Sequence, residues 1–376
     1  MTIANIYFAD SDFKLLQSEL IRQQYAVGGQ HHLVSFRQEL LRLSSADNWD
    51  SQHLLQWRFE KDFKKLLCSR RYILANQERL ADLCHGAEEI ILHLNLIHSE
   101  RFNYFIHDLQ RRFPDAKLHV RLMFDGVLNM RRRPMRGLRM LPQYFNRLKW
   151  CWEPRLNYYM YQGDRLGADA DIVDRIYGPE GFPHEYSVEK FHPLRFAPAA
   201  SAITRRRAIV LGSPISHIGG CTKVHEETIG DLIEREVNRG SFDEVVYKPH
   251  LLELEHGLAL ARPGYEVMRT ERCVERLLSE HSYDSIFGSV STALATAKLC
   301  SPQTRVVCCG LGIIEDSAPK TRSVHAYRNM CRELGVEVVD IAEESSFPLQ
   351  VARDFRTCVD HPSSAQRTQQ TALSLG

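Results

Sequence analysis

Ile90-Ile-Leu-His-Leu-Asn-Leu96, followed by Glu100-Arg-Phe-Asn-Tyr-Phe-Ile-His-Asp-Leu-Gln-Arg-Arg-Phe113 and then Lys117-Leu-His-Val-Arg-Leu-Met-Phe124, is the stretch on which the fold turns. Its outer runs are short and apolar or β-branched, and the middle follows a helical pattern, so it reads as strand, helix, strand: a parallel βαβ unit. Working toward the N-terminus, Ile3 to Ala9 reads as a strand, Phe13 to Gln24 as a helix and His32 to Phe36 as another strand. On the other side Arg131 to Met160 has no clean period, Asp171-Ile-Val-Asp-Arg-Ile-Tyr177 reads as a strand, and Gly178-Pro-Glu-Gly-Phe-Pro183 stops it.

Between His192 and Arg207, with Pro193, Pro198, several alanines and then Arg205-Arg-Arg207, the pattern breaks and a linker is expected. The alternation then restarts. Ala208 to Leu211, Glu244 to Lys248, Tyr265 to Met268, Ser285 to Phe287, Arg305 to Cys309 and Val336 to Ile341 read as strands. Val224 to Arg239, Cys273 to Glu280, Ser291 to Leu299 and Val324 to Leu334 read as helices. The expectation is an α/β protein with two Rossmann-like domains, residues 1–200 and 201–361. A polar, aperiodic tail over 362–376 is expected to be disordered. No internal repeat is evident. Open α/β sheets bind ligands beyond the carboxyl ends of their strands, so functional residues are expected just after strands, in a cleft where the two sheets face each other.

Composition bounds the rest. A chain of 376 residues suggests two domains at roughly 100–200 residues each. With 44% hydrophobic and 25% charged residues it can bury sizeable cores. Lys+Arg number 48 and Asp+Glu 47, a net charge of +1, so no global excess draws the chain to nucleic acid or a membrane, and an electrostatic partner must meet a local patch. The start Met1-Thr-Ile-Ala-Asn-Ile-Tyr-Phe-Ala-Asp10 lacks a signal peptide's basic and apolar regions, and no run reaches about 18 apolar residues. A cytoplasmic protein is expected, with the inner face of the membrane within reach of a local patch. Ten cysteines (68, 84, 151, 221, 273, 300, 308, 309, 331, 358) are scattered without a Cys-x-x-Cys pair, which favours reduced, mostly buried thiols over structural zinc.

Several strand ends carry residues suited to chemistry. Val120 to Asn129 ends an apolar strand in Asp125-Gly126. A carboxylate there can serve as general base on an acceptor hydroxyl, with Gly126 and Asn129 beside it near the substrate; an ordinary Asp-Gly turn is the plain alternative. Phe242 to Leu251 ends in Lys248-Pro249-His250. Residues i and i+2 of an extended strand share a face, so the cation and the imidazole can converge on one anion; a surface Lys and a hydrogen-bonded loop His are the alternative. Asp284 to Leu294 brings Gly288, Ser289, Ser291 and Thr292 to the start of a helix, a phosphate cradle that is compatible with simple N-capping. Gly212 and Ser213, after the first strand of the second half, would let a ligand come close, although Gly-Ser-Pro is a common turn. Gly310-Leu-Gly312 lacks the context of a dinucleotide fingerprint.

Taken in order, these residues resemble the bacterial GT-B sialyltransferases, most closely the α-2,8-polysialyltransferase family and related lipooligosaccharide sialyltransferases. Those families carry an acidic-acidic-Gly motif in the first domain, and Lys-x-His-Pro and Ser-Ser or Ser-Thr motifs in the second. Phe124-Asp125-Gly126, Lys248-Pro249-His250-Leu251 and Ser291-Thr292 fall at the matching places, with Phe124 replacing the first acid and Leu251 the proline. The resemblance implies the GT-B fold, Asp125 as general base, His250 on the CMP of the donor and assisting its departure, and Ser291 with Thr292 on the phosphate. It implies an inverting, metal-independent transfer of sialic acid from CMP-sialic acid, itself a substrate, to a hydroxyl of a cell-surface glycan of capsule or lipopolysaccharide type, with no further cofactor.

The run containing Arg131, Arg132, Arg133, Arg136 and Arg139 reads as a grip for an anionic acceptor, as a peripheral contact with anionic lipid, or as a solvated helix face. Trp150, Trp152, Tyr158, Tyr159 and Tyr161 read as a packed aromatic core more readily than as a sugar platform. Rival readings are a GT-B transferase or epimerase using another nucleotide sugar or nonulosonic acid, and a non-catalytic GT-B-like protein that binds a glycan or polyanion.

Overall fold

A computed structural model describes residues 2–25, 28–56, 65–126, 129, 132, 134–148, 151, 153–197, 205–218, 220–250, 252–317 and 322–341. The proposed tail, Leu251, Arg131, Arg133, Trp150 and Trp152 lie outside them. The strands, in chain order, are β1 Ile3–Ala9, β2 Gln30–Ser35, β3 Ser51–Leu54, β4 Glu89–Leu94, β5 Lys117–Leu122, β6 Val173–Pro179, β7 Phe191–Leu194, β8 Arg207–Leu211, β9 Glu244–Lys248, β10 Glu266–Val267, β11 Ser285–Gly288, β12 Arg305–Cys309 and β13 Glu337–Val339.

They form two sheets in which every pair is parallel. The first has the order β3-β2-β1-β4-β5-β6-β7 and the second β10-β9-β8-β11-β12-β13. Each order reverses beside its first strand, so each sheet has a switch point where crossover helices diverge and leave a crevice: β1/β4 in the first and β8/β11 in the second. This is the two-sheet Rossmann-like architecture that the sequence implies.

Parallel sheets are covered on both faces, and their strands alternate between two cores. In β1, Ile6 and Phe8 enter one cluster with Leu92 and Leu122, while Tyr7 and Ala9 enter another with Leu33 and Tyr177. The second sheet packs Ile209, Val246, Ile286 and Val307 into a third cluster. Of the described cysteines, Cys84, Cys300, Cys308, Cys309 and Cys331 are buried and form no disulfide, whereas Cys151 is exposed. Tyr158 and Tyr161 are core residues. The linker reading needs one correction: Phe191–Leu194 is a strand paired to β6, because Pro193 lies on the outermost strand, where a missing N–H breaks no further ladder. Gly178 and Pro179 likewise extend β6 rather than ending it.

The two sheets meet through their carboxyl-end loops. Phe124, just past β5, belongs to the core cluster of the second sheet and packs edge-on to Phe182 at 4.5 Å. Asp12, opening the helix Asp12–Tyr25 after β1, accepts from Cys273 N at 2.7 Å and from Arg276 Nε at 3.0 Å, and Arg276 also reaches Glu19 at 2.6 Å. Cys273 and Arg276 sit at the start of the helix Val274–Glu280, which follows β10.

Candidate functional site

Asp125 is held from both sides. Upstream, Gln17 grips the Phe124 peptide twice, accepting from its N–H at 2.8 Å and donating to its carbonyl at 3.0 Å. Downstream, the Asn129 side chain accepts from Asp125 N at 2.6 Å and Asn129 N donates to Gly126 O at 2.9 Å, closing a tight turn. The carboxylate Oδ1 then receives Lys14 Nζ at 3.2 Å and Asn95 Nδ2 at 3.4 Å. Lys14 is 3% exposed and also donates to the Phe124 carbonyl, whereas the Asp125 side chain keeps 24% of its surface open. Among the described residues no bond to Oδ2 is present, so one oxygen is anchored and the other is left for an incoming proton.

Gly126 has φ +70°, a left-handed conformation that favours glycine. It also lies close against the second sheet's loops, since a Cβ placed there would stand 2.6 Å from Thr292 Oγ1. The two sequence motifs, far apart in the chain, therefore abut. Asn129 is buried, so it acts on the Asp125 turn rather than meeting a substrate directly.

Thr292 opens the helix Thr292–Cys300. Ser291 is its N-cap, accepting from Ala293 N at 3.3 Å, and Tyr327 braces the cap by accepting from Ser291 N at 3.1 Å and donating to Ser291 O at 2.6 Å. Capping thus occupies these groups, and what the helix start offers an anion is chiefly its dipole. Ser289, expected at a phosphate, is instead fully buried with its hydroxyl donating to Cys309 O at 2.9 Å; it supports the loop from behind. Ser213 is buried in the same way, donating to Val290 O at 3.3 Å.

At the end of β9, Lys248 is half-buried, and among the described residues its ammonium makes no hydrogen bond or ion pair. Burial pulls its pKa below the ordinary value against the opposing influence of Cys273, Glu275 and Asp12. His250 is exposed, and its Nδ1 accepts from Leu252 N at 3.2 Å, which places the proton of the neutral ring on Nε2. Loss of part of its hydration against the neighbouring loop first, and the Lys248 cation second, hold its pKa below the usual imidazole value. A neutral Nε2–H beside an ammonium is a pair of donors suited to a phosphate.

Buried Glu253 shapes this loop. It accepts from His250 N and Tyr247 Oη, both at 2.8 Å, and burial raises its pKa in spite of those bonds. Gly212 makes room for it, because a Cβ there would lie 1.9 Å from Glu253 Oε2 and 2.8 Å from His250 N. Gly212 is therefore a packing glycine under the Lys248–His250 loop. Beside the loop lies a cavity of about 490 Å³ bordered by Pro214, Ser216, His217, Lys223, Leu252 and Glu253.

Lys14, Gln17, Asn95, Glu253 and Tyr327 belong to the site and were not singled out by the sequence. Of the basic run, Arg132 is paired with Asp164 and Asp169, while Arg136 and Arg139 are exposed. Among the described residues no helix is long and apolar enough to cross a membrane.

No protein-family model matches the sequence, and no curated protein matches it significantly. Solved structures do. The α/β-galactoside α-2,3-sialyltransferase of the luminous marine bacterium Photobacterium phosphoreum is similar over 91% of this chain and 99% of its own, with 9% identity and a TM-score of 0.53. The glycotransferase of kitacinnamycin is similar over 98% of this chain and 93% of its own, with 13% identity and a TM-score of 0.50. At such identities the likeness concerns the fold, which is GT-B-like.

Proposed function

We propose that this protein is an inverting, metal-independent sialyltransferase that moves a sialic acid from CMP-sialic acid to a hydroxyl of a cell-surface glycan. The observation that carries the reading is the meeting of Asp125-Gly126 with Ser291-Thr292 across the seam of the two sheets. A proton acceptor on one sheet then lies next to an anion-attracting helix start on the other, the arrangement needed when a hydroxyl attacks while a phosphate departs.

In this reading Oδ2 of Asp125 takes the acceptor proton as the new glycosidic bond forms, and Lys14 with Asn95 keeps the carboxylate aimed. The sugar passes through an oxocarbenium-like state, and attack from the face opposite the leaving CMP inverts the anomeric centre. Lys248 and the Nε2–H of His250 stabilise the negative charge that builds on the departing phosphate, aided by the dipole of the helix Thr292–Cys300. These cationic and dipolar groups supply what a divalent ion supplies elsewhere. The cavity beside Leu252 and Glu253 takes the nucleoside.

The test is CMP release from CMP-N-acetylneuraminate, followed by mass spectrometry with EDTA present, with and without a sialylated or galactose-ended acceptor. Acceptor-stimulated release that survives chelation supports the reading. Turnover of a different nucleotide sugar would move the protein to another GT-B transferase or an epimerase, and nucleotide binding without turnover would make it a binding protein.

A further inference from the structure

The helix Leu141–Leu148 is built inside out. Its inward face carries Gln143, fully buried, whose Oε1 accepts from Tyr161 N at 3.4 Å. Its outward face carries Leu141, Tyr144, Phe145 and Leu148, spaced i, i+3, i+4, i+7 and 45%, 55%, 65% and 53% exposed; Leu138, one turn earlier, is 82% exposed. An apolar stripe turned to solvent on an otherwise well-packed domain marks a surface that meets something apolar.

The charges around the stripe identify the partner. From Gly126 to Trp152 the sequence contains Arg131, Arg132, Arg133, Arg136, Arg139, Arg147 and Lys149 and no Asp or Glu. Arg136, Arg139 and Arg147 are exposed beside the apolar side chains. Asp169 and Asp171 border the hollow beside Tyr144 and Arg147, and Asp169 is paired to Arg132; a second copy of the chain still fits poorly, because a two-fold contact would set the exposed Arg136, Arg139 and Arg147 against their own copies. A bilayer rich in anionic lipid fits both features: cations at the headgroups, Leu and Phe at the acyl boundary, and Tyr144 at the interface between them.

We propose that Gly137–Leu148 docks the first domain on an anionic membrane surface, lying in the interface plane without crossing it. The inference is independent of which nucleotide sugar the cleft uses. It makes the outward face of a solvent-exposed helix, rather than the arginine run alone, the anchoring element.

The test is flotation of the full chain with phosphatidylcholine vesicles, with and without phosphatidylglycerol, at low and high salt. Binding is expected only to the anionic vesicles, and to weaken with salt. Arg136→Ala and Arg139→Ala should each reduce vesicle affinity about fivefold. Leu138→Ser with Phe145→Ser should abolish binding even at low salt, whereas Val188→Ser, an equally exposed apolar residue elsewhere, should leave it intact. Unchanged thermal unfolding of the variants separates lost docking from lost folding. Absence of lipid-dependent binding would overturn the proposal. So would binding indifferent to Leu138 and Phe145, or a lipid-free dimer in sedimentation that the same substitutions dissolve.

Discussion

Replacing Gly126 by alanine tests the seam on which the functional reading depends. Holding an L residue at φ +70° costs about 1–2 kcal/mol before any contact is considered. The new methyl would stand 2.6 Å from Thr292 Oγ1, 3.0 Å from Cγ2 and 3.1 Å from Cβ, and all three belong to a residue that cannot retreat freely. Thr292 opens its helix behind the Ser291 cap, and Tyr327 ties that cap at both N and O. Overpacking of this kind adds about 1–3 kcal/mol, so the total is about 2–5 kcal/mol, a large share of a stability of about 5–15 kcal/mol.

Denaturant unfolding of Gly126→Ala, Thr292→Ala and the double variant closes a thermodynamic cycle. Thr292→Ala removes Oγ1 and Cγ2, so the double variant should recover about 1–2 kcal/mol of the steric share while the backbone share persists. Turnover of Gly126→Ala should fall about 100-fold, because the Asp125 carboxylate is displaced from the opposite loop. A Gly126→Ala protein with wild-type stability, or strictly additive costs in the double variant, would show that the two loops do not touch and would remove the main support for a shared site.

Asp125→Asn keeps the shape of the turn but removes the proton acceptor; transfer should drop by about 10²–10⁴, with nucleotide binding by calorimetry retained, and near-normal turnover would dismiss the residue. His250→Gln preserves a side-chain N–H donor and should keep more activity than His250→Ala, whereas equal losses would argue against a neutral hydrogen-bonding imidazole. Arg276→Ala strands Asp12, whose side chain is only 2% exposed; unfolding stability should fall by about 2 kcal/mol, less than the 3–5 kcal/mol of a fully buried pair because Arg276 is itself partly exposed. Burial holds His93 well below its ordinary pKa, and neither ring nitrogen has a partner among the described residues. The unfolded chain therefore takes up this proton first, so the contribution of His93 is complete above about pH 6.5 and is lost as pH falls, by up to about 1.4 kcal/mol per pH unit. His93→Phe should lessen that acid sensitivity while keeping the 4.1 Å stack on Tyr7, and an unchanged pH profile of stability would refute the assignment.

Where strands are buried on both faces their apolar runs are continuous, and the sequence marks them to the residue: Ile3–Ala9, Glu244–Lys248 and Arg305–Cys309 start and stop where the pattern does. It does not mark Ser51–Leu54, a polar strand that is half-buried at a sheet edge, or Phe191–Leu194, which Pro193 disguises. The helix Leu141–Leu148 escaped for the opposite reason, since its apolar residues face outward and its buried residue is a glutamine. In the site, Asp125, Gly126, Lys248, His250, Ser291 and Thr292 could be read locally because each lies at or just past the end of a strand. Lys14 and Gln17 could not, because their partner Phe124 lies 110 and 107 residues away. Asn95 and Tyr327 act across 30 and 36 residues respectively. Their roles come from topology, which brings the first helix of the sheet onto the end of its fifth strand, and nothing in a helical period announces such a neighbour.

That first helix, Asp12–Tyr25, links the two halves of the chemistry. Lys14 and Gln17 hold the carboxylate and peptide at the end of β5, so the helix sets the position of Asp125, the proposed base. From the same helix Asp12 and Glu19 hold Arg276, one residue beyond Glu275, whose charge acts on Lys248. A displacement of this helix would therefore move Asp125 and disturb the Lys248 cation at the opposite strand end together. The spacing between the proposed base and the proposed leaving-group site thus depends in part on one element that touches both sheets. Substitutions at Asp12 or Arg276 should change it without altering a single group that meets the substrate.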